Sequence, residues 1–180
     1  MAYYGVNLHN SITLGRIFSI HYFEYMSDFS FEGESHNFWE FVCDDKGEVD
    51  VTRGKTHTIL KKGDLVFHKP NEFHNVKATG NIAPNLVVIS FECHDDAMYF
   101  FNDRILRIDE TERNLLADII IEARRCFDCR LDDPYLQNMP LKDSNIFGSQ
   151  QMIRLYLEHF LIHLIRRYSN PVVLQKKLSK

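Results

Sequence analysis

Two short stretches of the sequence carry acidic and histidine side chains at spacings that suit the binding of a ligand. The stretch GESHNFWEFV places Glu34, His36 and Glu40 at even spacing. The stretch GDLVFHKPNEFHN turns at Pro70 and presents His74 near its end. Carboxylate oxygens and imidazole nitrogens exchange hydrogen bonds with polar ligands, and the same atoms can coordinate iron, manganese or zinc. Both kinds of chemistry are therefore open to these residues.

Even spacing along a strand puts side chains on one face, because successive side chains point to opposite sides. In the first stretch that face holds Glu34, His36, Phe38, Glu40 and Val42. If Phe38 and Val42 point into a core, the three polar side chains point inward with them. A buried acid or histidine is costly unless it is paired, hydrated or used by a ligand. The pattern therefore predicts a polar pocket; in the alternative, His36 and Glu40 only pair with each other and His74 caps a turn.

The first 105 residues consist of short β-rich runs separated by turn signals, with no helical segment between them. The runs, in chain order, are RIFSIHYFEY, HNFWEFV, EVDV, THTIL, LVFH, FHNVKA and LVVISFEC. Strands at this spacing indicate an antiparallel sandwich or barrel. We therefore expect a mainly β domain over residues 1–105.

From residue 106 onward the spacing of apolar residues becomes helical. Asp109 or Thr111 can cap the segment ETERNLLADIIIEARRCF, which carries acids in its first turn, where the helix dipole favours them. A polar loop with two prolines follows. The segment SQQMIRLYLEHFLIHLIRRYSN then forms a second helix, which Pro171 stops. We expect a helical subdomain over residues 106–180.

The second helix has an apolar arc wider than the roughly 100° stripe of a surface helix. Four of its residues follow the 4-3-4 spacing of a coiled-coil seam: Ile153, Leu157, Phe160 and Leu164. The whole face could pack on the β domain and the first helix, or part of it could meet the same helix of a second subunit. We favour the second interpretation and expect a homodimer with these four residues at its interface.

Composition restricts the partners of this chain. It has 21 Lys and Arg against 25 Asp and Glu, a net charge of -4, which argues against a nucleic-acid surface spread over the whole chain, because phosphate binding depends on clustered positive charge. No apolar run approaches the roughly 18 residues of a membrane span, and the N-terminus lacks the features of a secretory signal. Cys126 and Cys129 form a single CFDC pair, a weak zinc signal that we interpret as incidental. A cytoplasmic chain without membrane contact is expected.

The two polar stretches, extended to GESHNFWEFVCDDKGEV and GDLVFHKPNEFHNV, resemble the signature segments of a cupin barrel. Over about residues 12 to 168 the chain resembles the N-terminal effector-binding and dimerisation domain of AraC-type transcription regulators, including the segments APNLVVISFEC, NLLADIIIEA and FGSQQMIRLYLEHFLIHLIRR. This resemblance implies a mainly β fold with C-terminal helices. A cupin-like double-stranded β-helix, or jelly-roll, barrel with an effector pocket would occupy residues 1–105, and a two-helix dimerisation element would follow.

The resemblance also bears on DNA as a partner. Regulators of the AraC type carry a pair of DNA-binding helix-turn-helix motifs after the sensor domain. These 180 residues contain no such motifs, so contact with DNA is expected only through that further part of a full-length protein. The remaining expected partner is a small-molecule effector.

The resemblance implies, in addition, which residues form the site. Cupin metal sites take two histidines and a glutamate from the first segment and one histidine from the second, but Glu34 stands here where the first histidine would be. Glu34, His36 and His74 would still form a two-histidine, one-carboxylate set for a divalent metal. Sensor barrels of this type commonly bind organic effectors without metal. We therefore favour a sugar-like or other polar metabolite as the ligand, with no required cofactor.

The expected ligand-binding residues are Glu34, His36, Phe38, Glu40, His74, Arg16 and Tyr25. The carboxylates and histidines would form hydrogen bonds with the ligand, and the aromatic rings would stack on it. No catalytic residue is expected, because the favoured function is that of a sensor. The alternative function is a metal-dependent cupin enzyme of the oxygenase or isomerase type.

Overall fold

The computed structural model describes residues 1–144 and 146–169, which form eight strands, two α-helices and one short 3-10 helix. The strands are β1 (Ile17–Glu24), β2 (Trp39–Lys46), β3 (Glu48–Arg53), β4 (Thr56–Lys61), β5 (Asp64–His68), β6 (His74–Ala78), β7 (Asn85–Phe91) and β8 (Ile105–Arg107). The 3-10 helix spans Asp96–Phe101, and the α-helices are α1 (Glu110–Cys126) and α2 (Ser149–Ser169). The predicted order of strands followed by two helices is confirmed. The predicted stop at Pro171 lies outside the described residues.

The strands form two antiparallel sheets that face each other across one interior. One sheet has the order β1-β7-β2-β5-β8, and the other has the order β4-β3-β6. Single bridges from Ser30 to Lys77 and from Glu34 to His74 attach the segment 30–34 to the outer edge of β6. Strands from distant parts of the chain therefore lie side by side within each sheet. This interleaved order is that of a jelly-roll barrel, as the resemblance to cupins implies.

The barrel interior is filled by an apolar cluster with members from both sheets: Val42, Val49, Val51, Leu60, Val66, Val76, Leu86 and Val88. Successive side chains of β2 alternate between this interior and the outer surface of the five-stranded sheet, where Phe41 and Cys43 lie. Burying one such valine or leucine stabilises the fold by roughly 1.5–3 kcal/mol relative to its exposed state. The same alternation directs Glu40 to the interior face, beside Val42.

The two helices cover the outer surface of the five-stranded sheet. α1 begins with a capping box, in which the side chains of Asp109 and Glu112 each accept a hydrogen bond from the other residue's backbone N–H. The rings of Phe41 in β2 and Phe160 in α2 lie 5.3 Å apart, within one core that sheet and helices share. The expected domain boundary at residue 105 falls at the first residue of β8. No helix within the described ranges is long and apolar enough to cross a membrane.

The four residues expected at a dimer interface require a correction. Ile153, Leu157, Phe160 and Leu164 are at most 1% exposed in the single chain. They pack in the core that α2 shares with α1 and the five-stranded sheet, so they are not available to a second subunit. The apolar arc of α2 is wide because the helix packs against both α1 and the five-stranded sheet of its own chain. Homodimer formation itself stays a prediction.

Candidate functional site

A glycine brings the first polar stretch against β6. Glu34 and His74 exchange two backbone hydrogen bonds of 3.0 Å, directly after Gly33. Gly33 has a φ of 109°, and a Cβ at this position would lie 2.5 Å from the ring of Phe73 and 2.7 Å from the carbonyl oxygen of His74. Only glycine accommodates both the positive φ and this close approach. The residue that precedes Glu34 therefore fixes its distance from His74.

The turn between β5 and β6 positions both histidines of the site. Asn71 adopts a left-handed conformation with a φ of 66°, directly after Pro70. Its backbone N–H donates a 2.7 Å hydrogen bond to the carbonyl oxygen of His36. β6 then begins at His74, whose side chain points into the barrel and is 2% exposed. The turn thus holds the backbone of His36 by a hydrogen bond and leads into β6, which carries His74.

Register places further polar side chains in one layer near the mouth of the barrel. Ser19, Ser90, Glu40 and His68 are successive register partners across β1, β7, β2 and β5. On the opposite sheet, His74 pairs with Glu34 on one side and with Arg53 on the other. All of these side chains except Glu34 are buried. The interior is therefore polar in this layer and apolar in the layer of valines beyond it.

Four side chains of this layer and its rim converge: Glu34, His36, Glu40 and His74, the four-residue cluster. One nitrogen or oxygen atom from each lies within 4.8 Å of those of the other three. The Nε2 atom of His74 lies 3.3 Å from Glu40 Oε1 and 4.0 Å from Glu34 Oε1, and the Nε2 atom of His36 lies 3.6 Å from Glu40 Oε2. Glu40 thus joins the three residues that the sequence indicates as possible metal ligands.

Backbone carbonyl groups fix the tautomer of both histidines. His36 Nδ1 lies 3.0 Å from the carbonyl oxygen of Phe38, and His74 Nδ1 lies 2.9 Å from that of Glu72. Because a carbonyl oxygen only accepts, each Nδ1 carries a hydrogen, and the Nε2 atom of the neutral ring keeps a free lone pair. Both Nε2 atoms are buried and have no hydrogen-bond partner. Both atoms face the carboxylate of Glu40, an arrangement that favours a proton or a cation between them.

Charge in the cluster is set by the burial of Glu40 and by its neighbours. Burial alone would raise the pKa of Glu40, but the nearby rings of His36 and His74 bring it well below its ordinary value. For His74, burial lowers the pKa, and the carboxylate of Glu40 more than reverses the change. The Ser90 hydroxyl donates a 2.6 Å hydrogen bond to Glu40 Oε2, and Ser19 lies 2.8 Å from the Ser90 hydroxyl. Glu40 is therefore held as an oriented carboxylate.

The donor set fits a divalent metal ion. Metal-binding histidines commonly donate their second ring N–H to a backbone carbonyl, as both cluster histidines do here. Two free Nε2 lone pairs and two carboxylates suit iron, manganese or zinc. A cation would also satisfy the two buried Nε2 atoms that lack partners. The residues that would hold such an ion are the members of the four-residue cluster.

A cavity of about 300 Å³ opens beside the cluster. That volume lies at the lower end of the roughly 300–1,000 Å³ range of small-molecule sites. Its aromatic wall includes Phe18 and Phe38, whose rings stack 3.9 Å apart, and Phe38 stacks on His36 at 3.8 Å. Residues 134–137, between α1 and α2, supply another wall. A smaller cavity of about 50 Å³ adjoins the valine layer and is lined in part by Tyr25.

Of the seven predicted ligand-binding residues, the structure brings six to these two cavities and leaves one outside. Arg16 precedes β1; its side chain is 72% exposed and pairs with Glu92 at 2.8 Å, so the prediction that it could face the pocket is wrong. It reaches the site only indirectly, with its guanidinium 5.2 Å from the ring centroid of Phe18. The other six line one or both cavities: Glu34, His36, Phe38, Glu40, His74 and Tyr25.

Several residues of the site are not among the seven ligand-binding residues predicted from the sequence. His68 is fully buried and stacks on His74 with ring centroids 4.3 Å apart; burial lowers its pKa to about 3, so it is neutral. His21 is 7% exposed and lines both cavities. The alternation of side chains along β5 could have identified His68, because it lies two positions after Val66, which faces the interior. Residues 134–137 carried no signal, because their approach to the barrel is a long-range contact.

Comparison with known proteins gives partial likenesses only. No protein-family model and no curated protein matches the sequence. Among solved structures, the cupin domain of Schizosaccharomyces pombe Cnp3 is 16% identical, with 48% of this chain and 64% of that chain covered and a TM-score of 0.37. A cupin superfamily protein from Desulfitobacterium hafniense is 14% identical, with coverage of 41% and 63% and a TM-score of 0.34.

A third partial likeness is to a predicted oxalate decarboxylase from Thermotoga maritima. It is 21% identical, with 36% of this chain and 57% of that chain covered and a TM-score of 0.35. The chain thus spans less than two thirds of the length of each of these three proteins. Likenesses of this size decide neither activity nor ligand.

The chain's own architecture defines its class. Two interleaved antiparallel sheets enclose a polar layer at one end, and two helices follow the last strand. The acids and histidines of that layer come from the two segments that resemble cupin signatures. The molecule is therefore a cupin-fold domain with two C-terminal helices, and its barrel has a polar pocket of a size that suits a small molecule.

Proposed function

We propose that this domain is the ligand-sensing and dimerisation part of an AraC-type transcription regulator, with a small polar metabolite bound in the barrel. One observation carries the proposal: the buried Nε2 atoms of His36 and His74 lack partners and face two carboxylates beside a cavity of about 300 Å³. Buried polar atoms without partners are rare in folded proteins and call for an explanation. A hydrogen-bonding ligand supplies the missing partners.

The chemistry of the walls selects the class of metabolite. Glu34 and Glu40 accept hydrogen bonds, and together they favour ligands with hydroxyl or amino groups over anions. The stacked rings of Phe18 and Phe38 offer an apolar face on which a sugar ring or an aromatic ring can lie. Sugar-like compounds and small amines are therefore the expected ligands. Arg16 does not oppose this choice, because its charge is paired with Glu92 outside the cavity.

In this proposal, ligand binding in a cytoplasmic homodimer biases the arrangement of the two subunits. A ligand shifts such an equilibrium only if its affinity differs between two arrangements. DNA would be contacted by a helix-turn-helix part that belongs to regulators of this type and lies outside these 180 residues. Neither the dimer nor the contact with DNA rests on the four buried residues of α2.

A thermal-unfolding screen of the full chain tests the proposal. The panel contains monosaccharides, amino sugars and small amines, each with and without added manganese. A compound that binds only the native state raises the unfolding midpoint. At least one compound is expected to do so for the unsubstituted chain and not for His36→Ala. The matched control is His57→Ala, which removes a histidine whose side chain is 69% exposed, outside the pocket.

A metal-dependent cupin enzyme of the oxygenase or isomerase type is the second candidate function. Its specific support is the orientation of His36 and His74, since both rings bind a backbone carbonyl through Nδ1 and turn Nε2 toward the carboxylates of the cluster. When bound, a divalent ion would supply a Lewis acid for a substrate oxygen. Ser90 would then orient Glu40, and the carbonyl groups would orient the two rings.

Metal analysis separates the two candidates. Protein purified without a histidine tag is analysed for iron, manganese and zinc by mass spectrometry. About one equivalent of metal, lost in His74→Ala and retained in His57→Ala, would support the enzyme. A metal-free protein that gains a stabilising compound in the thermal screen would support the sensor.

A further inference from the structure

We propose that residues 131–137, in the connection between α1 and α2, are a cover of the barrel site and the part of it that selects the ligand. This inference rests on the proposed function, in that the barrel pocket is taken as the place where a small molecule binds. It adds a wall contributed by the helical part of the chain. The sequence assigns that part to dimerisation alone.

Backbone contacts join the two ends of the connection, so the residues between them form a closed loop. Asp128 N–H donates a 2.8 Å hydrogen bond to the carbonyl oxygen of Pro140, and Lys142 N–H donates one of 2.9 Å to that of Cys126. An isolated bridge between Phe127 and Leu141 lies between them. The chain therefore leaves the end of α1 and returns to the same place, as in an Ω-loop. Its tip is free to reach the barrel.

Two hydrogen bonds attach the tip of this loop to β1. The backbone N–H of Tyr22 donates to the carbonyl oxygen of Leu131 at 2.9 Å. The Nδ1 atom of His21 lies 3.0 Å from the carbonyl oxygen of Asp133, so the ring donates this bond. Leu131 is 5% exposed and anchors the same end of the loop in the core. His21 is therefore a latch between the wall of the barrel and the loop.

Beyond the latch, the loop forms the wall opposite the cluster. Pro134 lines both cavities of the site. Tyr135, Leu136 and Gln137 line the larger cavity together with Glu34 and His36. A molecule that fills this cavity touches the loop on one side and the cluster on the other. The phenol of Tyr135 and the amide of Gln137 can donate to and accept from the ligand, which gives the loop a part in selecting it.

Chemical labelling of His36 tests the cover and needs no identified ligand. The full chain is treated with diethyl pyrocarbonate, which acylates an accessible imidazole nitrogen, and the labelling rates of His36 and exposed His57 are compared by peptide mass spectrometry. His21→Phe removes the latch donor and keeps a ring in place. It is expected to raise the rate at His36 about fivefold, the change that loss of one hydrogen bond produces. The rate at His57 is expected to stay constant.

A second variant keeps the test decisive if His21→Phe does not fold. Tyr135→Ala trims the exposed loop wall, and Tyr99→Ala is its matched control, because both tyrosines are 68% exposed. Faster labelling of His36 in Tyr135→Ala but not in Tyr99→Ala supports the cover. Equal rates in all folded variants overturn it and leave the sensor proposal standing. A thermal screen without any stabilising compound would instead count against the sensor proposal.

Discussion

The buried carboxylate of Glu112 joins the first turn of α1 to the last turn of α2, and its removal should weaken the whole helical layer. Glu112 is fully buried. Its oxygens accept from Arg167 Nη2 at 2.6 Å and Nε at 3.0 Å, and one of them lies 2.9 Å from His163 Nδ1. The backbone N–H of Asp109 donates to the same carboxylate at 2.8 Å.

The expected loss in Glu112→Ala follows from these contacts. Removing one partner of a buried ion pair costs about 3–5 kcal/mol. Arg167 is 31% exposed and keeps Asp109 at 3.5 Å, so the expected loss is smaller, about 2–3 kcal/mol. Each kcal/mol lowers the unfolding midpoint of a domain of this size by about 2–4 °C, so the fall should be roughly 4–12 °C. The matched control is Glu110→Ala, an exposed acid of the same helical turn, which should lose less than about 1 kcal/mol.

Urea and thermal unfolding followed by circular dichroism measure both variants. The double variant Glu112→Ala with Arg167→Ala should be less destabilised than the sum of the single variants, by about 1–3 kcal/mol, because it leaves no unpaired charge. A midpoint of Glu112→Ala equal to that of Glu110→Ala would refute the reasoning. Strict additivity in the double variant would refute the assignment of Arg167 as the main partner.

Three further predictions test the fold around the site. Gly33→Ala, which brings a Cβ to 2.7 Å from a carbonyl oxygen of β6, should cost about 1–3 kcal/mol in urea unfolding, whereas Gly5→Ala, with nothing within 4 Å, should cost almost nothing. Burial raises the pKa of Asp44 to about 6 from 3.8, so the folded state binds the proton more tightly and stability should fall as pH rises through that interval. Asp44→Asn should remove this slope and gain about 1–2 kcal/mol at pH 7.5, allowing for solvent screening; an unchanged slope would contradict the assignment. Leu157→Ala should cost about 2–5 kcal/mol and leave the sedimentation coefficient unchanged, whereas Leu155→Ala, at a half-exposed position of the same helix, should leave stability nearly unchanged. A change of oligomeric state in Leu157→Ala would show that Leu157 lies at a subunit interface and would contradict this assignment.

Local sequence patterns predict much of the fold and the residues at the centre of the site. Alternation over RIFSIHYFEY predicts β1, the β-rich run LVVISFEC predicts β7, and the acid at position 109 caps α1 as expected. Glu34, His36 and Glu40 lie together as expected, and the turn after His68 brings His74 to them. The continuous strand expected over these residues is wrong, because β2 begins only at Trp39 and Glu34 is held by a single bridge to His74. These features depend on neighbouring residues and on the period of a strand. Such information is present in the sequence itself.

The errors arise where a pattern says that a side chain is buried but not what covers it. The apolar seam of α2, including Leu157 and Leu164, meets a sheet and a helix of its own chain, and periodicity does not distinguish these from a second subunit. Arg16 lies just before β1, where strand alternation no longer applies. The contact between His21 and the loop at Asp133 joins residues 112 positions apart. No local spacing encodes a contact of that kind.

The central claim is that the four-residue cluster of Glu34, His36, Glu40 and His74 binds a small polar ligand in the barrel. The most direct test is the shift in unfolding midpoint with the best compound of the thermal screen, measured side by side for the unsubstituted chain, His36→Ala and His57→Ala. At a ligand concentration about 100 times Kd, binding stabilises the native state by about 2.7 kcal/mol, which raises the midpoint by roughly 5–10 °C. That shift is expected in the unsubstituted chain and in His57→Ala and should be lost in His36→Ala. An equal shift in all three proteins, or none in any of them, would contradict the claim.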